Sequence, residues 1–173
     1  MRALALLSLT LWLSACATAP AGNGSTAGSS SNTATATQTQ SFIAAMEAKR
    51  GSALTLAERL QVQGLTGTAK VGLNNTQNNF LNKIGAQVGL DGAVIAALFP
   101  EAGKPLSETA VVAKIESRLG KKLAAADQAA VKTATALRNN SLASLKTGLA
   151  ASIGSRIGLS TEVVLALMPM LGL

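Results

Sequence analysis

Two pairs of acidic residues are the first candidates for chemistry in this sequence. Glu116 and Asp127 follow Glu47 and Glu58 by 69 positions each. Two carboxylates close in space can act as a general acid and base, or can bind a metal ion. In the simpler interpretation, Glu58 and Asp127 lie in the first turn of a helix, where the backbone dipole favours negative charge. Glu47 and Glu116 then belong to a solvated helix surface.

The residues that usually assist carboxylate chemistry are missing. The 173-residue sequence contains no histidine and no tyrosine, and its one cysteine lies far from both acidic pairs. Histidine is the commonest general base and metal ligand in proteins. We therefore predict that the protein is not an enzyme and that it has no catalytic or metal-binding residues. We also predict that it uses no cofactor apart from a covalently attached lipid.

The single cysteine, Cys16, follows a segment typical of an export signal. Arg2 precedes an apolar run over residues 3–13, and the run ends in Leu13-Ser14-Ala15-Cys16. A run of this length is too short to span a bilayer as a permanent helix. A lone cysteine also cannot form an internal disulfide, so its thiol needs another explanation.

This tetrapeptide resembles the lipobox of bacterial lipoproteins, and the resemblance covers residues 1–16. It implies that residues 1–15 are a signal peptide and that Cys16 becomes the acylated first residue. Because Ala17 and not aspartate follows Cys16, the Gram-negative sorting pattern implied by the resemblance favours the outer membrane, facing the periplasm. The alternative is an ordinary secretory signal cleaved after Ala15, which leaves a free thiol.

Residues 16–40 join this cysteine to the rest of the chain. Residues 17–40 are uncharged and consist mainly of Ala, Thr, Ser, Gly, Asn and Gln. Such a segment cannot bury enough apolar surface to fold, so we predict a disordered tether. A flexible chain of this length reaches roughly 25–30 Å.

Positive charge is the third feature that could carry function. The chain has a formal net charge of +7, and Arg118, Lys121 and Lys122 cluster near a predicted helix end. Cations there can stabilise the free carbonyl groups of the helix, or they can form a patch for an anionic partner. No aromatic residues interleave with these charges, so nucleic acid is not expected.

An internal repeat organises the remaining sequence. Residues 83–100, KIGAQVGLDGAVIAALFP, recur as residues 152–169, SIGSRIGLSTEVVLALMP. The match extends without a gap over residues 41–104 and 110–173, which predicts a tandem duplication. Repeat 1 covers residues 41–104 and repeat 2 covers residues 105–173, with residues 105–109 as the joint.

The repeated motif predicts helix ends. Gly89 and Gly158 suit the left-handed conformation that terminates helices, and Asp91 and Ser160 suit the cap of the next helix. We expect Gly85 and Gly154 at a close helix crossing. No stretch alternates with period two and aromatic residues make up only 2 %, so we predict an all-α fold of two similar four-helix units packed into one small domain.

These observations favour a non-catalytic envelope lipoprotein with a structural or partner-binding role at the membrane. Its partners would be the membrane, through the lipid on Cys16, and a protein or an anionic envelope component. One alternative is an assembly helper for an envelope machine, similar to the small helical lipoproteins that pilot secretion subunits. A third is an enzyme acting on the cell wall, which would depend on the acidic pairs.

Overall fold

A computed structural model describes the backbone of residues 29–173 and the side chains of residues 36–173. This part of the chain is all-α, with no β-strand. Six α-helices and one short 3₁₀ helix follow one another: α1 (Ser29–Arg50), α2 (Leu56–Val88), α3 (Gly92–Leu98), α4 (Glu108–Leu119), α5 (Ala125–Ile157), α6 (Thr161–Leu167) and η1 (Met168–Leu171).

Helix α1 begins earlier than the sequence suggests. It starts at Ser29, so residues 29–40, which we assigned to the tether, are helical. The apolar residues Phe42, Ile43 and Met46 anchor the C-terminal half of α1 in the core. Once this half is formed, adding residues to the helix is far easier than nucleating a new one. Residues 1–28 lie outside the described part of the chain.

The two longest helices, α2 and α5, form an antiparallel pair. Gln77 accepts a hydrogen bond from Arg138 at 2.8 Å, and ten residues later in α2 Gln87 donates to Asp127 at 2.7 Å. Each helix has 33 residues and covers what we predicted to be two helices. Buried residues continue through the glycine-containing part of α2, at Val62, Thr66, Ala69 and Leu73. This burial outweighs a cost of about 1 kcal/mol for each helical glycine, so each unit has three α-helices and not four.

The helix bounds repeat at the spacing seen in the sequence. Both ends of α5 follow those of α2 by 69 positions, and the same holds for α6 and α3. Gly89 and Gly158 end α2 and α5 with φ of 68° and 71°, as predicted. Asp91 accepts a hydrogen bond from the Ala93 N–H, and Ser160 accepts one from Val163, so the predicted caps are also confirmed.

The glycines one turn earlier serve a different purpose from the one we expected. A Cβ on Gly85 would lie 2.9 Å from the Leu90 carbonyl oxygen, and one on Gly154 would lie 2.5 Å from that of Leu159. The close approach is therefore to the turn that follows each helix and not to a crossing helix. In both turns the amide of the leucine donates back to the glycine carbonyl.

Two apolar cores lie at opposite ends of the α2–α5 pair, and each contains elements from both repeats. The first combines α1, the start of α2, the end of α5, α6 and η1; its buried residues are Phe42, Ile43, Met46, Leu54, Val62, Ala69, Leu73, Leu142, Leu149, Ala150, Ile153, Ile157, Val164, Met168, Leu171 and Leu173. The second combines the end of α2, α3, α4 and the start of α5; its buried residues are Phe80, Leu81, Ile84, Ile95, Phe99, Val111, Val112, Ile115, Leu123, Val131 and Ala134.

The segment between α3 and α4 is held by polar side chains of the long helices. Arg138 is only 3 % exposed, and its guanidinium donates to the carbonyl oxygens of residues 101, 102 and 104 at 2.8–3.0 Å. Asn139 bonds both the N–H and the C=O of Leu106, and Lys146 donates to the Gly103 carbonyl. Burial lowers the pKa of Arg138 and of Lys146, and the charge of Arg138 lowers the pKa of Lys146 further.

Candidate functional site

The predicted lipidation site, Cys16, lies outside the described residues, as does the signal segment before it. The lipid anchor, the signal peptide and the envelope location therefore remain predictions. The described candidates are the acidic pairs and the basic cluster at the end of α4.

The structure gives Glu47 and Glu116 the same structural role. The Glu47 carboxylate accepts a hydrogen bond from the Leu54 N–H at 2.9 Å, and Glu116 accepts one from the Leu123 N–H at 3.1 Å. Leu54 and Leu123 come directly after the turns that end α1 and α4. Each carboxylate therefore ties the last turn of one helix to the approach to the next, and is more than solvated surface charge.

The second acid of each pair is also engaged in structural contacts. Thr55 and Glu58 form the capping box of α2, in which Glu58 accepts from the Thr55 N–H at 2.7 Å and Thr55 accepts from the Glu58 N–H. Asp127 accepts from the Gln87 amide in the α2–α5 interface. No group of three or more His, Cys, Asp or Glu residues that could hold a metal ion occurs among the described residues.

Hydrogen bonds favour the ionised form of Glu47, Glu58 and Glu116. The backbone N–H of Leu54 lowers the pKa of Glu47, and that of Thr55 lowers the pKa of Glu58. The Lys122 ammonium, followed by the Leu123 N–H, lowers the pKa of Glu116. A general acid needs a pKa raised toward neutrality, and these three shifts have the opposite sign.

The predicted basic cluster lies where α4 turns into α5. Arg118 is in the last turn of α4, and Lys121 and Lys122 follow Gly120, which ends the helix with φ of 66°. Lys122 pairs with Glu116 at 2.7 Å. The side chains of Arg118 and Lys121 are exposed, and neither forms an ion pair or a side-chain hydrogen bond with a described residue. Two of the three predicted cations thus lack a partner within residues 36–173.

A fourth cation, Lys114, lies one turn before Arg118 on α4. Its ammonium donates to the Leu98 carbonyl at 3.3 Å and lies 5.5 Å from the centre of the Phe99 ring.

Lys114 and Arg118 line one depression of about 510 Å³ with the end of α3. Lys121 and Lys122 line another, of about 420 Å³, which shares Ser117 with the first. We call Lys114, Arg118 and Lys121 the basic end. Lys114 is not among the predicted cations, although its spacing of four from Arg118 places both on one helix face.

At the equivalent end of α1, two of the three nearby cations form ion pairs. Arg50 pairs with Glu58 at 2.8 Å, and Arg59 pairs with Glu47 at 2.7 Å. Of the basic residues around that turn, Lys49 is exposed and without an ion pair in the described structure, and it occupies the position equivalent to Arg118. Among the described residues, the end of α4 therefore has more cations without an ion pair than the end of α1.

Comparisons with known proteins assign no relative. No protein-family model, curated protein or solved structure matches the chain. Within residues 29–173, no single helix is long and apolar enough to cross a membrane. One pair of consecutive helical segments, Ala125–Ile157 with Thr161–Leu171, is together long and apolar enough to cross a membrane by length and composition alone, although the pair is bent by 119°.

Proposed function

We propose that this protein is a non-catalytic, lipid-anchored envelope protein whose folded part binds an anionic surface through the basic end. The observation that carries the proposal is the pairing pattern. Among the described residues, one cation around the α1 end, Lys49, meets no carboxylate, whereas at the α4 end Lys114, Arg118 and Lys121 meet none. The acids on which an enzyme would depend are hydrogen-bonded in caps and turns.

The expected strength of this binding follows from the number of cations. An anionic membrane surface attracts each nearby Lys or Arg with about 1 kcal/mol. Three cations on one end of an anchored domain therefore supply roughly 3 kcal/mol, and the attraction fades beyond a Debye length of about 8 Å at physiological salt. Such binding orients a domain that the lipid already holds near the membrane.

A vesicle-binding experiment tests the basic end. The chain from residue 16, made soluble by Cys16→Ser, should bind vesicles containing anionic phospholipid more strongly than neutral vesicles, and added salt should weaken binding steeply. Arg118→Glu should reduce binding at least tenfold. Lys49→Glu is the matched control, because it makes the same charge reversal at the equivalent position of α1 and should have a much smaller effect.

Two outcomes would contradict this assignment. Equal losses from Arg118→Glu and Lys49→Glu would show that diffuse net charge drives binding. No binding to anionic vesicles at low salt would leave a protein partner, such as a component of an envelope machine, as the better hypothesis. Crosslinking in cells would then identify that partner.

A second experiment tests the anchor. In the full-length protein, Cys16→Ser should abolish acylation and release the chain from membranes, because each buried acyl CH₂ contributes about 0.8 kcal/mol. Mass spectrometry of the mature N-terminus and fractionation after a high-salt wash measure the two effects. A serine variant that stays in the washed membrane pellet would show that the folded part holds the membrane without lipid.

We further infer that the folded part arose by tandem duplication of a three-helix unit. The equal offset of the helix bounds supports this, as do the equivalent contacts from Glu47 to Leu54 and from Glu116 to Leu123. Gly103 and Gly172, which also lie 69 residues apart, approach each other so closely that a Cβ on Gly103 would clash with the Gly172 carbonyl.

A further inference from the structure

One face of α2 exposes apolar side chains that the described chain leaves largely uncovered. Leu56, Leu60 and Val71 are 75 %, 58 % and 60 % exposed, and Gly64 and Gly67 between them are also exposed. At 3.6 residues per turn these five residues lie within about 80° of one another around the helix. They form a stripe about 22 Å long, which we call the α2 stripe.

The equivalent face of α5 has a different composition. The residues that follow the α2 stripe by 69 positions are small or polar: Ala125, Ala129, Thr133, Ala136 and Asn140. Helix α5 nevertheless has the same 33 residues in length as α2, so the fold does not need large apolar residues at these positions. A contiguous exposed apolar patch of this kind is typical of a contact with another molecule.

The middle of the α2 stripe has no side chains. Gly64 and Gly67 lie inside α2, where glycine disfavours the helix, and a Cβ built on either meets no atom within 4 Å. Neither glycine therefore lets another part of the chain approach α2 more closely. Because the distance between two packed helices depends on the side chains at their contact, these glycines leave a notch that a helix from outside can enter.

The order of residues in the α2 stripe is self-complementary when two copies lie antiparallel. A two-fold axis between residues 63 and 64 places Leu60 of one chain against Gly67 of the other, so that leucine fills the notch. The same axis places Leu56 against Val71, which brings two apolar side chains together. A two-fold interface requires one patch to fit a second copy of itself in this way.

The charges of α2 agree with such a contact. Between Arg59 and Lys83 the helix carries one charged residue, Lys70, and its ammonium is shielded from solvent. Depletion of charged residues is typical of the centre of a protein–protein interface. In the antiparallel arrangement Arg59 faces Thr68 of the other chain, so no two cations meet, and the dipoles of the two helices oppose one another.

We propose that the α2 stripe joins two copies of this chain, with their α2 helices antiparallel about this two-fold axis. A contact of about four turns on each helix buries on the order of 1,000 Å² in total, at the low end of the range for specific interfaces. The dimer is therefore weak, with a dissociation constant on the order of tens of micromolar.

Sedimentation equilibrium of the chain from residue 16 with Cys16→Ser tests the proposal. Between micromolar and millimolar concentration the protein should pass from monomer to dimer. Leu60→Gln should raise the dissociation constant by about tenfold or more, because the group that fills the notch becomes polar. Leu137→Gln is the matched control, since Leu137 is 51 % exposed on α5, outside the α2 stripe, and should leave the constant nearly unchanged.

Cysteine crosslinking tests the position of the two-fold axis. In the Cys16→Ser background, Gly64→Cys places one thiol beside its own copy, within the short reach of a disulfide, and mild oxidation should give a covalent dimer. Thr133→Cys is the control, because Thr133 is the exposed residue of α5 equivalent to Gly64, and it should crosslink much more slowly.

Several results would overturn the proposal. They are a chain that stays monomeric at millimolar concentration, equal losses from Leu60→Gln and Leu137→Gln, and equal crosslinking rates at positions 64 and 133. A monomer that binds neutral vesicles, and loses this binding with Leu60→Gln, would also overturn it, because the α2 stripe would then contact a membrane.

Discussion

At the scale of single residues, the acidic pairs have the residue types of an acid–base or metal site, but their carboxylates take part in structural hydrogen bonds. Glu47 and Glu116 each accept a backbone N–H from the residue that leads into the next long helix. Glu116 is only 9 % exposed, and its carboxylate also meets Lys122 and Gln128. A carboxylate that satisfies this many donors is most favourable when ionised.

The pH dependence of stability should report this role of Glu116. Its pKa is lowered in the folded state, so its contribution is complete above the pKa of the unfolded chain, near 4.3. The contribution is lost as the pH falls from about 5 through the folded-state pKa. Glu116→Gln should therefore lower Tm at pH 7 and should flatten the dependence of Tm on pH between 5 and 3.

Glu108→Gln provides the control for this measurement, because Glu108 is exposed on the same helix and joins no ion pair of the described structure. It should change the pH profile less than Glu116→Gln does, because Glu108 meets only the helix dipole of the first turn. Parallel profiles for Glu116→Gln and the parent protein would refute a stabilising role of the ionised carboxylate.

At the scale of helices, glycine has opposite effects at different positions. Gly89 and Gly158 hold φ of 68° and 71° at helix ends, and a Cβ built on either meets no atom within 4 Å. Their requirement for glycine is therefore purely conformational. Gly64 lies inside α2, and its Cβ would also meet nothing within 4 Å. Within one chain, glycine at this position gives no packing advantage and only increases the conformational entropy of the unfolded chain.

Alanine substitutions should separate these two situations. Gly89→Ala and Gly158→Ala should each destabilise the protein by about 1–2 kcal/mol, the cost of a left-handed conformation for a residue with a Cβ. Gly64→Ala should instead stabilise it by about 0.5–1 kcal/mol. Urea unfolding followed by circular dichroism measures all three. A neutral Gly89→Ala would show that the turn relaxes to another conformation.

At the scale of the whole molecule, the sequence predicts local features of the chain better than it predicts which helices contact one another. The helix ends at Gly89 and Gly158 could be predicted because glycine and cap residues act on their own sequence neighbours. The cluster that contains Arg118 and Lys121 could be predicted because these residues are close along the chain. Hydrophobic periodicity shows which face of a helix is buried, but not which helix covers it. The mixed composition of both cores and the hydrogen bonds of Arg138 to Gln77 and to residues 101–104 depend on residues distant in sequence.

The mixed cores predict that neither repeat folds alone. Residues 16–104 with Cys16→Ser lack α5, α6 and η1, which supply about half of the first core, and residues 105–173 lack α1 and α2. Each fragment should therefore show no cooperative thermal transition as a monomer, because a domain that loses half of its core cannot offset the entropy of folding.

An equimolar mixture of the two fragments should regain the helical signal and a cooperative melt, and should elute as a 1:1 complex in size-exclusion chromatography. The uncut chain is the control for the melting temperature. A folded homodimer of one fragment would still agree with the structure, because a second copy can supply equivalents of the missing helices. A fragment that melts cooperatively as a monomer would contradict it, since each repeat would then contain a complete core of its own.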